Sequence, residues 1–313
     1  MSERPVLVAG PAYCDLIFAG LPGVPPLGQE WFADSLTVTA GGSAITAVAF
    51  ARLGVPVALL AQVGTDAHGG IVRNLLEQEG VLSEALHVKE GAYTPVTAAL
   101  SSEHDRAFAT FLPEGRPDVE ASLAALKPRH VHLAGFPAVA WQAGWVETLH
   151  TAGVTVSFDP GWSDEALADP AVRDLAFACD VLMPSRQEAL RLLDLPLDSD
   201  LASSRVVGAL AEARPSRITV VKDGANGAWA VGLGGGEPWH VRVEPAAAVD
   251  TTGAGDVFDA AFLAAWLDGE PVAVCLKWGA LAGRQAVGRI GGSAGAPTRD
   301  ELNLELAHLE ASA

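Results

Sequence analysis

The chain has 313 residues, half of them hydrophobic, with 20 Lys and Arg against 38 Asp and Glu and a formal net charge of −18. That length supports one large domain with an appendage, or two domains. The acidic balance excludes a general nucleic-acid binder, which needs a basic footprint, and no apolar run reaches the length of a membrane span.

Met1–Pro5 runs straight into the apolar stretch Val6–Gly10 without the regions of a signal peptide, so a cytoplasmic protein is expected. Cys14, Cys179 and Cys275 are widely spaced and lie in apolar contexts. They form no metal-ligand spacing and are expected to be buried, reduced thiols.

In chain order, Val6–Ala9 is expected to be a strand. Asp15–Ala40, with several Pro and Gly, reads as strand and turn rather than helix. A helix is expected over Ala44–Leu53, a strand over Val57–Gln62 and a helix over Gly70–Gly80. Thr94–Leu112 carries the β-rich runs Val96–Leu100 and Ala107–Phe111. Strands follow at His130–Ala134 and Val154–Phe158, separated by a helix over Ala138–Thr151. Val181–Met183 and Ile218–Lys222 are further strands, with helices at Gln187–Leu193 and Ser203–Ala213 between them. Gly255–Asp268 and Val272–Val287 are the last helices. Gly54, Gly80, Gly153 and Gly269 stand where left-handed helix ends are expected.

This alternation predicts an α/β fold, a doubly wound and mostly parallel central sheet flanked by helices. Residues 1–313 are expected to form one domain. The two segments that break the rhythm, about 15–40 and 94–112, are expected to form a small β-sheet lid over the cleft at the strand ends.

The chemistry concentrates in Asp250-Thr251-Thr252-Gly253-Ala254-Gly255-Asp256, followed at once by Val257–Leu263. The small-residue turn exposes backbone N–H groups that become the first turn of a helix, where orphan donors and the positive dipole end favour an anion. A carboxylate, Asp256, closes the turn. Phosphoryl transfer to a hydroxyl requires such a phosphate cradle with an acid/base residue at its lip. An ordinary capped helix start uses similar residues, although capping needs only one of the two acids.

Several motifs stand in a fixed order: Val6–Gly10 leading to Asp15, Gly41-Gly42-Ser43 before a helix ending Ala51-Arg52-Leu53-Gly54, and Val63-Gly64-Thr65-Asp66-Ala67-His68-Gly69. Then come Phe158-Asp159-Pro160, Pro184-Ser185-Arg186-Gln187-Glu188, Val220–Ala228 and the terminal stretch. Together they resemble the PfkB (ribokinase-like) family of carbohydrate kinases over nearly the whole length. The resemblance implies transfer of the γ-phosphoryl group of ATP to an alcohol of a sugar-like substrate, with a nucleoside acceptor as the near alternative. A vitamin kinase of the wider fold would lack the small lid. A catalytically inactive binding or regulatory homologue is the alternative from a different class.

The resemblance also implies roles. Asp256 would be the general base, and the N–H groups of Gly253, Ala254, Gly255 and Asp256 would stabilise charge on the transferring group. Asp15 would hold two substrate hydroxyls, since a carboxylate accepts two hydrogen bonds from a vicinal diol; a surface or turn-capping Asp is the plain alternative. Gly41 and Gly42 would let the substrate lie against bare backbone. Thr46 stands where relatives usually carry Asn on the substrate side, and Arg106 in the lid would touch substrate or solvate a hairpin. Ser185, Lys222, Gly224 and Gly227 would lie on the ATP side, although a Lys at a strand end is also simply a surface residue. Ser185 replaces the family's Asn. Glu188 would help hold Mg²⁺ through water. Asp250, the Thr252 carbonyl and Gly291-Gly292-Ser293 are the candidates for a K⁺ site. A homodimer paired through the lid is a further expectation.

Overall fold

The protein, seen as a computed structural model, is described for residues 4–102, 106–136, 145–214, 217–244, 246 and 249–311. Its larger sheet has nine strands. In chain order these are β1 (Val6–Ala9), β4 (Val57–Gly64), β5 (Leu86–Lys89), β8 (His130–Ala134) and β9 (Thr155–Asp159), then β10 (Val181–Leu182), β11 (Ile218–Lys222), β12 (Ala228–Val231) and β13 (Trp239–Val241). They lie in the order β13-β12-β11-β10-β9-β8-β1-β4-β5. Pairing is parallel from β5 to β11 and antiparallel over β11-β12-β13.

The apolar continuity of the central strands follows from being covered on both faces. Val6 and Val8 of β1 enter one core, while Leu7 and Ala9 enter the other. The first core is closed by α1 (Ser43–Arg52), α2 (Ala67–Gln78), α9 (Ala254–Leu267) and α10 (Val272–Ala286). The second lies under α4 (Trp145–Thr151), α6 (Pro170–Ala178), α7 (Arg186–Leu192) and α8 (Ser203–Ala213). Helix α9 packs between α1 and α10. Its residues Val257–Ala265 are all buried, which is why its sequence is apolar all round rather than on one stripe.

Four strands form a separate sheet: β2 (Ala12–Leu21), β3 (Ser35–Gly42), β6 (Val96–Ser102) and β7 (Arg106–Phe111), ordered β3-β2-β6-β7. Gly10-Pro11 carries the chain directly from β1 into β2. The crevice between the sheets therefore opens at the carboxyl end of β1. There the strand order reverses, with β4 on one side and β8 on the other, and such a switch point is where open α/β sheets bind ligands.

The strand and helix expectations fall within three residues of these bounds; the largest shift is at α2, which begins at Ala67 rather than Gly70. Of the helix expected over Ala138–Thr151, residues 138–144 lie outside the described residues; Trp145–Thr151 is helical. Gly54, Gly80, Gly153 and Gly269 all have φ between +71° and +87°, as left-handed helix ends require. Additional elements are α3 (Val119–Leu126), α5 (Asp164–Ala168) and α11 (Arg299–Ala311), with α6, β5, β12 and β13. Most are short or lie at the edge, so a periodic pattern has few residues in which to show. Among the described residues, no helix is long and apolar enough to cross a membrane.

Candidate active site

The first turn of α9 is the centre of the site. Gly253, the residue before the helix, has φ +73° and makes no side-chain cap. A Cβ there would stand 2.9 Å from Gly292 Cα and from Ile45 Cγ2, so only glycine fits. No side chain caps the first turn, so orphan N–H groups there are available to an anion, while that of Ala254 donates to the Thr251 carbonyl at 3.4 Å. The signature is thus more than a capped helix start.

Asp256 lies in that turn, half-buried, and its Oδ1 accepts a hydrogen bond from Thr46 Oγ1 at 3.0 Å. Burial pushes its carboxyl up to about 7, the Asp159 carboxylate adds to this, and Lys222 and the Thr46 hydroxyl oppose it. Thr46, on α1, is fully buried. It orients the Asp256 carboxylate, a contact the sequence did not announce.

Beside Asp256 the ends of β9, β11 and α9 converge. Lys222 Nζ donates to Asp159 Oδ2 at 2.8 Å and to Asp259 at 2.9 and 3.1 Å. Lys222 is therefore no surface residue; despite its burial these acids hold its ammonium charged, well above the usual range. Burial favours a neutral Asp159, but Lys222 outweighs it and keeps that carboxyl low. Asp259, also fully buried, is pushed well up by burial. Asp259 was not singled out in the sequence. The available signal was an isolated carboxylate within Val257–Leu263, one turn after Asp256.

Ser185 and Glu188 form a capping box at the start of α7: the Ser185 N–H donates to Glu188 Oε2 at 2.7 Å, and the Glu188 N–H to Ser185 Oγ at 3.3 Å. Ser185 thus serves the helix start. Burial, with Asp159 nearby, lifts the Glu188 carboxyl to about 7, against Lys222 and the Ser185 bonds.

A cavity of ≈ 360 Å³ adjoins this group. It is lined by Lys222, Gly224, Ala225, Gly227, Thr251, Ala254 and Gly255, with Phe258, Ala280 and Gly283 behind them. Gly227 has φ +90°, and a Cβ would overlap the Val241 carbonyl; its glycine closes the β11–β12 turn. A larger depression of ≈ 880 Å³ lies between α8 and the β12–β13 connection and contains none of the expected site residues.

Asp15 is buried on β2, within reach of the Asp250 charge at the start of the signature. Burial and the Asp250 carboxylate push its carboxyl up to about 7, with a Thr97 hydrogen bond opposing. A Cβ at Gly41 would overlap the Asp15 carboxylate. Gly42 has φ +60°, and a Cβ there would reach the Pro11 carbonyl at 2.5 Å. Both glycines are thereby explained by close approach and backbone conformation.

Arg106, at the start of β7, reaches across the cleft to the signature loop. Its Nη1 donates to Asp250 Oδ1 at 2.7 Å and to Thr252 Oγ1, and its Nη2 to Thr251 Oγ1. Asp250 also accepts from the Thr252 N–H at 2.9 Å and the Gly291 N–H at 3.0 Å. Burial favours the neutral acid, yet the bonds from Thr252 and Gly291 and the Arg106 charge outweigh it and hold the carboxyl low.

The Val63–Gly69 motif has a local structural role. Asp66 caps α2 through Gly69 N–H at 2.8 Å and accepts from Thr94 N–H and Oγ1 at 2.9 and 2.6 Å. It thereby ties the β4–α2 turn to the segment entering β6.

The comparisons agree with this geometry. Residues 32–299 match the family model described as pfkB family carbohydrate kinase. The chain is 34% identical over 268 residues to the ATP-dependent ribose-1-phosphate kinase of Halopiger xanaduensis, covering 84% of each chain. It is 28% identical to a fructokinase of Vibrio alginolyticus, over 95% of this chain and 97% of that one. The ribokinase of Arabidopsis thaliana, solved with ribose and ATP, superposes with a TM-score of 0.81 at 26% identity, covering 97% of this chain and 98% of that one.

Proposed function

Since the chain belongs to the pfkB family of carbohydrate kinases, we propose that it transfers the γ-phosphoryl group of ATP to a hydroxyl of a sugar or sugar-like substrate. The observation that carries this is the uncapped first turn of α9, whose Ala254 and Gly255 line the cavity at Lys222, Gly224 and Gly227, with the buried Asp15 near enough to Asp250 of the same signature to feel its charge. Nucleotide enters on one side and acceptor on the other, so the transferring group meets the first-turn amides at the junction.

Asp15 accepts hydrogen bonds from two acceptor hydroxyls, against bare backbone at Gly41 and Gly42. Asp256 takes the proton from the attacking hydroxyl. Its carboxyl at about 7 suits a general base working near neutral pH. The N–H groups of Gly253, Ala254, Gly255 and Asp256 stabilise the charge that develops on the phosphoryl oxygens. The smaller sheet, with Asp15 and Arg106 on it, acts as the lid that excludes water from this junction.

Mg²⁺ suits the residues present. Among the described residues no group of three or more His, Cys, Asp or Glu forms a metal cage, and Mg²⁺ bound to nucleotide phosphates needs only one or two carboxylates and several waters. Glu188 and Asp159, whose Oδ1 is buried without a hydrogen-bond partner, would hold it through water. When bound, the ion neutralises charge on the phosphates.

The test is ADP release with MgATP and a panel containing ribose 1-phosphate, ribose, fructose and nucleosides. One acceptor is expected to turn over, and Asp256→Asn to lose ~10²–10⁴-fold in kcat. Absence of turnover on every acceptor, or an Asp256→Asn enzyme as fast as the parent, would overturn the assignment. The exposed Leu36, Val38 and Phe108 on the two edge strands of the smaller sheet support a homodimer paired there. A monomer by analytical ultracentrifugation at micromolar concentration would rule it out.

A further inference from the structure

At the residues expected to hold K⁺, the Asp250 carboxylate and the Gly291 and Ser293 carbonyls already accept hydrogen bonds, and the positive charge of Arg106 lies against Asp250. Both oxygens of the Asp250 carboxylate are engaged, Oδ1 by the Thr252 amide and Arg106, Oδ2 by the Gly291 amide. Several neighbouring carbonyls accept hydrogen bonds as well. That of Val287 accepts from the amides of Val249 and Asp250 at 2.8 and 3.1 Å, and that of Gly291 accepts from Ala294 at 2.9 Å. Those of Ser293 and Ala296 accept from Arg52 Nη1 at 2.9 and 3.0 Å. A hard cation requires several oxygens turned towards it, and the Arg106 charge beside Asp250 repels it.

We propose that the Arg106 guanidinium is the built-in cation of this loop, so that the protein holds its anion cradle without a monovalent metal ion. The Asp250 side chain is 4% exposed and that of Arg106 24%, so the pair is largely withdrawn from water and only weakly screened. A planar guanidinium bonds Asp250, Thr251 and Thr252 at once, which a spherical ion bound to oxygens would not do by the same directional contacts. Because Thr252 directly precedes Gly253, this contact sets the position from which the first turn of α9 starts. It also joins β7 of the smaller sheet to the signature, making Arg106 a positioning residue that couples sheet closure to the cradle.

The experiment is thermal melting of the full chain, without nucleotide, in KCl, NaCl and choline chloride at equal ionic strength. It is paired with initial rates in the same salts on whichever acceptor turns over. The parent is expected to melt at one temperature in all three salts. Arg106→Ala is expected to melt roughly 2–4 °C lower in choline chloride and to recover in KCl only. Arg106→Lys keeps the charge and should stay indifferent to K⁺. A K⁺-specific rise in the parent, or an Arg106→Ala protein that does not respond to K⁺, overturns the proposal. Should Arg106→Ala not fold, Arg106→Gln replaces it under the same criteria. The melting measurements stand even if the kinase assignment fails, so the two failures are distinguishable.

Discussion

At the main-sheet end of the cleft, Lys222 pairs with Asp159 and Asp259, while Asp256 beside them forms no ion pair among the described residues. At the smaller-sheet end, Arg106 pairs with Asp250, and Asp15 likewise forms none. The two ends are built differently: one on strand ends and a buried helix, the other on a strand of a separate four-stranded sheet. Yet they sort their carboxylates by the same rule. Asp159 and Asp250, each with a cation at bonding distance, are held low, while Asp15 and Asp256 are raised to about 7; Asp259 departs from this, its complete burial raising it although Lys222 bonds it. Burial favours the neutral acid, and a nearby cation opposes it. The raised pair are the acids the proposed chemistry assigns to the acceptor, one to hold it and one to deprotonate it.

The comparison can be broken most forcefully at Lys222. Lys222→Met leaves Asp159 and Asp259 buried together without their cation, and removing one partner of such a group costs ~3–5 kcal/mol. A urea titration is expected to show that loss. A variant as stable as the parent would mean that the acids, not the lysine, neutralise the cluster.

Gly41→Ala acts at the other end. Its Cβ would displace the Asp15 carboxylate, and misplacement by about 1 Å costs on the order of 10²-fold in kcat/KM. Most of this is expected in KM for the acceptor, with KM for ATP nearly unchanged. Equal effects on both substrates would place Asp15 outside the acceptor site.

The smallest effect is the pH dependence of stability, and it sharpens the division between the two classes. Asp15, Asp256 and Glu188 are about 7 in the folded protein against roughly 4 when unfolded. Between those values the folded state binds more protons than the unfolded state, so stability falls as pH rises. Asp159 and Asp250 are lowered and act in the opposite sense, losing their contribution as pH falls below about 4. Urea midpoints are expected to decline between pH 5 and 7.5, with a shallower slope in Asp256→Asn; a rising midpoint over that range would contradict the assignment. Over the same range kcat/KM is expected to rise towards a plateau above about 7, where the base is ionised.

Much of this architecture was legible from local pattern. Val6–Ala9 and Ile218–Lys222 declare themselves as buried strands because apolar residues occupy both faces, and the breaks at 15–40 and 94–112 mark where the second sheet interrupts the alternation. Gly253 and Asp256 could be singled out because a phosphate cradle needs bare amides and a carboxylate within a few residues of chain. Thr46 could not be assigned its contact, because its partner lies 210 positions away. Asp259 was hidden in an apolar helix whose burial sets its ionisation, and burial is not a property of sequence spacing.

The sequence by itself determined which backbone could form and which turn the proposed anion cradle occupies, since period, glycine placement and helix starts are local. Only the tertiary structure decided which charges meet. Lys222 reaches Asp159 across 63 positions, and Arg106 reaches Asp250 across 144. Desolvation and ion pairing depend on what packs against a group rather than on its neighbours in the chain. For that reason Asp250 and Asp256, six residues apart in one motif, end with their carboxyls shifted in opposite directions.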